Sequence, residues 1–367
     1  MKRLLFSIGF LCMLSSCSQN DDELDLMPQA EVTFPSFGGL SFELEALFEY
    51  RFREGNAAGD FVNLTVNEAI PSQFTFIHQQ EGFVGLYRPQ EVYLRNVEAG
   101  TTQSYRDFVG FGDEERRETV VNDDIYIALL FRYTNTLEEL RLRLINTQNN
   151  VQTEVNLGAV QGVGRLYMMD EFIIVSLHDT NSNATVLYQI DRSTAAIVQS
   201  WSFENTNVVS AVAFAPDEEF YFYDGEGAYY RHAFNSQELI EKKATSFLPN
   251  ARFYYRVVDN QLVSYYNYIQ PSFLPRGPEL FDLTSDTAIQ VDIAPIYSEF
   301  LAQNLGFTNI TATDFAYDRD NERWISGYLA QDNDGNSKSG VFLISASGQL
   351  LAQMDLERPL RYIVLLN

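Results

Sequence analysis

The sequence predicts an all-β protein: a β-propeller of six four-stranded blades, or seven if the strands before residue 72 add one, with a single inserted helix. Three observations carry this. Aromatic residues make up 14% of the 367, as 28 Phe and 21 Tyr against 2 Trp, a composition that favours strands over helical bundles. Apolar residues recur with period two along most of the chain, and no long helical period dominates. A meander of four short strands then repeats at intervals of about 42 to 48 residues, widening once to about 61, against 40 to 50 for propeller repeats.

Along the chain, the alternation of Phe42, Leu44, Ala46, Phe48, Tyr50 and Phe52 with polar neighbours predicts a strand with one wet face. Phe61 to Val66 predicts another. Leu140, Leu142 and Leu144 alternate with Arg141 and Arg143 in the same way. The repeat itself is clearest late in the chain. Thr313 to Tyr317, Arg323 to Ala330, Val341 to Ser345 and Leu350 to Leu356 read as four strands separated by Asp, Asn and Gly turns. The same order recurs at Arg165 to Phe203 and at Val208 to Ser246. Marker positions for the second strand fall near Phe83, Ile125, Phe172, Phe220, Leu262 and Arg323. The widest interval holds the helix, residues 295–306, with Ile296, Phe300, Leu301 and Leu305 on one face and Gly306 where a cap belongs. Radial closure leaves only short sheet edges, which favours a propeller over a sandwich. The strands in 32–71, with Leu360 to Leu365, either close the ring or form a seventh blade. The domain plan is thus a leader at 1–16, a tether at 17–31, the early strands at 32–71 and the propeller at 72–367.

The leader has a short basic start at Lys2 and Arg3, an apolar run from Leu4 to Leu14, and the tetrapeptide Leu14-Ser15-Ser16-Cys17. Such a run is a secretory signal and too short to span a bilayer. Leu-Ser-Ser-Cys resembles the bacterial lipoprotein box. That resemblance implies acylation of Cys17, which becomes the mature N-terminus anchored in a membrane. Cys12 lies within the removed segment, so the mature chain has one cysteine and no intrachain disulfide. The next residues, with Asp21, Asp22 and Glu23, resemble the acidic export tether of Bacteroidota surface lipoproteins, which implies an outer-membrane lipoprotein displayed on the cell surface. The plain reading of that run is a solvated linker.

Charge narrows the partners. The chain carries 50 acidic and 25 basic residues, a net −25 that becomes −27 once Lys2 and Arg3 are removed. Electrostatic capture of nucleic acid is excluded on this balance. The motifs narrow the chemistry further. His78, His178 and His232 have no ligand partners at metal spacing, and neither a Gly-x-Ser-x-Gly elbow nor a phosphate-binding glycine loop occurs. The best oxygen cluster is Asp332, Asp334 and Asn336 in Asp-Asn-Asp-Gly-Asn, a candidate calcium site that lacks the EF-hand glycine and glutamate and reads equally as a tight turn. Asp318, Asp320 and Glu322 form a second such turn. Tyrosines crowd residues 221–230 and 254–268, and Tyr229 and Tyr265 are the candidates for an exposed ligand platform, with packing between blades as the alternative. Asp286-Thr287-Ala288 resembles the short O-glycosylation pattern of Bacteroidota exported proteins.

With no catalytic residue nominated, the sequence points to a lipid-anchored surface propeller that binds or scaffolds a glycan, a peptide or an outer-membrane protein. The second reading is a surface polysaccharide hydrolase or lyase, with or without calcium, with carboxylates in a central funnel.

Overall fold

The computed structural model describes residues 32–366 except 57, 81, 109, 111–114, 138, 160–163, 170, 180, 181, 183, 205–210, 216–218, 224–226, 234, 235, 237, 246–254, 259, 270, 284 and 304. Cys17, Asp21, Asp22 and Glu23 lie outside the described residues. The strands form seven antiparallel four-stranded units, the blades of a seven-bladed β-propeller. Each marker position falls at or beside the start of a second strand: Phe83–Arg88, Tyr126–Tyr133, Phe172–Asp179, Glu219–Tyr223, Gln261–Asn267 and Arg323–Gln331. These belong to blades 2 to 7.

Blade 1 is composite. Its innermost strand is the C-terminal Tyr362–Leu365, followed outward by Phe37–Phe42, Leu47–Phe52 and Asp60–Asn63. Phe37 pairs with Leu365 and Leu40 with Tyr362, so one blade is both the seventh and the closure of the ring. A Cβ on Gly39 would lie 2.3 Å from the Tyr362 carbonyl oxygen, and this close approach explains the glycine at the seam. The long strand expected around residues 42–52 is instead a hairpin: Glu43 N–H donates to Ala46 O, and Leu44 at the tip is 76% exposed. Apolar alternation misses the reversal because Leu44 and Ala46 continue the pattern through the turn. Similarly, the strand expected at Phe61 to Val66 stops at Asn63, whose side chain caps a short helix, Leu64–Glu68, by accepting from Val66 N–H.

The inserted helix is a π-helix, Ile296–Gln303. Its wider turn puts Tyr297 beside Ile296 and Leu301 in the core, while Leu305, expected on the buried face, is exposed. Gly306 caps the helix at φ +74° and donates to Ala302 O. No helix among the described residues is long and apolar enough to cross a membrane.

The core lies between blades rather than at the axis. Val121, Leu130 and Leu142 of blade 3 pack on Leu166, Ile173 and Val175 of blade 4. Ile325, Val341 and Leu343 of blade 7 pack on Phe37 and Phe52 of blade 1. Both faces of a blade are therefore covered, as the strongly apolar second strand Tyr126–Tyr133 requires. Some buried charges are paired across blades: Arg95 of blade 2 donates to both carboxylate oxygens of Glu49 in blade 1, at 2.6 and 2.7 Å, and also reaches Glu68.

Candidate functional site

Antiparallel blades give the ring two unlike faces. The first-to-second and third-to-fourth turns share one face; second-to-third loops and crossings between blades share the other. On the first face the turns in blades 2 to 7 are two to five residues long. On the second, the crossings reach 12 residues at 64–75 and 18 at 291–308, and both helices lie there. Chain entry is on the tight-turn face, where the Thr33 hydroxyl donates to Glu54 and the Thr33 carbonyl accepts from Arg323.

Each innermost strand is an inner sheet edge whose outward-facing backbone groups must be satisfied across the axis. Side chains from neighbouring inner strands do this. Ile363 of the closing strand receives Asp314 on its N–H, at 2.7 Å, and Gln79 on its carbonyl, at 2.8 Å. The Gly164 N–H donates to Glu118, and the Asn122 N–H to His78 Nδ1. Blades 5 and 6 pair directly, with Ala213 and Phe214 opposite Tyr255 and Arg256 in parallel. Glu118 and Asp314 sit at equivalent irregularities, each in a break of register on an innermost strand. At Asp314 the bulge is possible because the residue opposite is Gly327, where a Cβ would lie 2.4 Å from Thr313 Oγ1.

The two bulge acids differ electrostatically. Glu118 accepts from Arg132 at 2.6 Å. Asp314 faces no cation among the described residues, and its position deep in the ring raises its pKa to about 7 despite the bonds from Ile363 and Phe315. Burial acts in the opposite sense on His78, lowering its pKa to about 4. The His78 Nδ1 atom lies 3.1 Å from both the Asn122 backbone nitrogen and the Asn122 Oδ1.

The loop-rich face carries a cleft of about 560 Å³ between blades 7 and 1. Its wall is one sheet face of blade 7. Asn309, Gln331 and Ser337 stand side by side as cross-strand partners, with Thr311, Leu329 and Ser339 in the next row. The side chains of Asn309, Thr311, Gln331 and Ser337 engage no other protein group among the described residues. Four of the five charges around them are paired, and Glu357 is in no ion pair among the described residues. Lys338 lies 3.1 Å from Asp355, and Arg358 lies 2.6 Å from Glu43 on the blade 1 side. A shallower depression of about 550 Å³ on the same face joins blades 1 and 2 at Thr65, Phe74 and Arg88, whereas the tight-turn face shows one of about 240 Å³ at Asn96, Gln103 and Asp124.

The residues nominated from sequence fall elsewhere. Tyr229 is only 2% exposed, its ring 6.0 Å from both Tyr221 and Tyr223 and its hydroxyl donating to Glu241. As placed, it offers no ring face to a ligand and serves in packing. Tyr265 is half-buried against Phe315 across the blade 6–7 interface. Both carboxylate oxygens of Asp332 accept from its own loop, from the Asp334 and Asn336 N–H groups and the Asn336 amide, which lowers its pKa; Gly335 sits at φ +85°. That is the geometry of a hairpin turn. Asp318 is likewise engaged, by Asn321 and Arg323. Among the described residues no three His, Cys, Asp or Glu side chains gather in metal-binding range. Thr287 is exposed on the outer strand Thr287–Gln290, within 2.6 Å of Ser285 Oγ. The cleft escaped sequence reading because its four uncharged side chains carry no motif.

No protein-family model matches the chain, and no curated protein matches it. Among solved structures it is similar to a dihydro-heme d1 dehydrogenase, NirN, in complex with DHE. The identity is 11% over 91% of this chain and 76% of the other, with a TM-score of 0.50. At that identity the likeness concerns the fold alone.

Proposed function

We propose that this chain is a surface lipoprotein, acylated at Cys17, whose propeller binds a partner through its loop-rich face without catalysing a reaction. The observation that carries the reading is the cleft between blades 7 and 1, where hydrogen-bonding side chains stand unengaged while both neighbouring cations are held by carboxylates. Such a lining suits recognition of a polar ligand. Catalysis calls for positioned groups with matched pKa values, whereas four of the five cleft charges are held in ion pairs. Chain entry beside Thr33 supports the same arrangement: a lipid on Cys17 would tether the ring from its tight-turn side and leave the cleft on the far side. Asp21, Asp22 and Glu23 would direct export to the surface.

One observation favours the hydrolase or lyase reading. Asp314 is an acid whose pKa near 7 suits proton donation at neutral pH, though its carboxylate already caps the closing strand. A pair of variants separates the readings. Ser337→Trp, filling the cleft, should abolish retention on a glycan array, whereas Gln103→Trp on the opposite face should not. Release of cleavage products that Asp314→Asn abolishes would replace binding with catalysis. For the anchor, Cys17→Ala should move the protein from the membrane fraction to the soluble fraction; unchanged fractionation would refute acylation.

A further inference from the structure

We infer that the cleft between blades 7 and 1 takes a neutral oligosaccharide, held by Asn309, Thr311, Gln331 and Ser337; this rests on the binding reading above and names its ligand class. Two amides and two hydroxyls supply both donors and acceptors, the complement that a chain of sugar hydroxyls requires. Their arrangement is set by the sheet. Asn309, Gln331 and Ser337 occupy one cross-strand row, so their side chains repeat at about the 4.8 Å inter-strand spacing, with Thr311 two residues further along the same face. A ligand lying across the strands therefore meets a hydrogen-bonding group at each step. Leu329 and Leu356 add apolar surface for the C–H faces of sugar rings.

The charges argue against an anionic ligand. Lys338 and Arg358 are the cleft's cations, and each already has a carboxylate, Asp355 or Glu43. Asp355 is further engaged by the Tyr328 hydroxyl and the Gln353 amide, at 2.8 and 2.6 Å, which fixes it away from a competing partner. A sulfate or carboxylate would have to compete with Asp355 or Glu43 for these cations. An extended peptide is also disfavoured. The wall is the face of a sheet, so a ligand that meets these side chains lies across the strands and away from the outer edge at Leu350–Leu356, where main-chain pairing would occur. Among the described residues no aromatic side chain lines the cleft, so they form no aromatic anchor pocket.

The test is affinity electrophoresis of the full-length protein in gels containing neutral polysaccharides (starch, β-glucan, xylan and mannan) beside chondroitin sulfate and pectate. At least one neutral polysaccharide should retard the protein, equally at low salt and at about 0.5 M NaCl, because no ion pair is formed with the ligand. The double variant Asn309→Ala with Gln331→Ala should weaken retardation tenfold or more at an unchanged melting temperature. Asn149→Ala, in a turn on the opposite face, should leave it intact. Retardation undiminished in the double variant overturns the assignment, as does retardation only by the charged polysaccharides. Binding of those polymers that Ser337→Trp abolishes would sink the neutral ligand yet leave the binding reading standing. Sugar release from a retarding polysaccharide would sink the binding reading while leaving the ligand class of the cleft in place.

Discussion

The two faces of the ring are made by the same strands, yet one carries a turn repeated from blade to blade and the other carries loops of unequal length. On the tight-turn face a single device recurs. Asn96, Asn146, Asp191 and Asp282 each close the third strand of a blade and accept with a side-chain oxygen from an N–H two or three residues on: Ala99, Gln148, Ser193 and Ser285. Four residues after each stands a left-handed residue, Gly100, Asn150, Ala195 or Asp286. The residue following each cap then donates to the first turn of its own blade: Val97 to Gly82, Thr147 to Ile125, Arg192 to Glu171, Leu283 to Asn260. Across the ring, the loop-rich face has crossings of unequal length, two helices and apolar tips at Leu44, Val66, Leu137, Ile269 and Phe273, where the tight-turn face has Val151. A repeat fixed on one side and unconstrained on the other separates stability from recognition, and loops held by such a frame are where binding is expected.

Four measurements would break or sharpen that contrast, and the axis between the faces should give the largest effect. Asp314 has a folded pKa of about 7, raised above the unfolded value near 3.9, so its contribution to stability is fully present below about pH 4 and is lost as pH rises through 7. Asp314→Asn keeps an acceptor for Ile363 and should be more stable than the parent at pH 8, by up to about 4 kcal/mol, with no gap at pH 4. Urea titrations at the two pH values would show it. Next comes the frame. Arg192 donates to Asp123 and the Met169 carbonyl and stacks over Tyr126, joining blades 3 and 4 on the tight-turn face. Arg192→Ala strands a nearly buried carboxylate and should cost about 3 kcal/mol, read as a lower urea midpoint. A smaller loss, about 1 kcal/mol, is expected for Asn146→Ala, since only the turn caps on Gln148 and Asn149 disappear. On the opposite face, Ile269→Ser removes a side chain 92% exposed and should change stability by less than about 0.5 kcal/mol. A loss comparable to that of Arg192→Ala would mean that the loops also carry the frame.

Strand positions were legible because period-two burial and Asx turns are local. Leu140, Leu142 and Leu144 are buried as their alternation requires, and Leu350–Leu356 has the expected bounds. The recurring cap and left-handed residue, at Asn96, Asn146, Asp191 and Asp282, was a further local signal of the repeat that the marker-strand spacing overlooked. Blade number was not legible. Closure pairs Phe37 with Leu365, and no local pattern states that two segments at opposite ends of the chain share a sheet. The same limit applied to the tyrosines: alternation shows which residues share a sheet face, but whether a neighbouring blade covers that face depends on inter-blade packing, which buries Tyr229.

By itself, then, the sequence determined the strands, their turns, the inserted helix with its Gly306 cap and an acidic, aromatic-rich β class, because each depends on residues close together along the chain. The seven-blade ring, the Asp314 and Glu118 caps on neighbouring inner strands, and the cleft were decided only by tertiary structure. In each, the decisive contact joins different blades, as between Asp314 and Ile363, Glu118 and Gly164, or Arg358 and Glu43. The environment that raises the Asp314 pKa comes into being only when the ring closes, as does the blade 1 side of the cleft at Glu43.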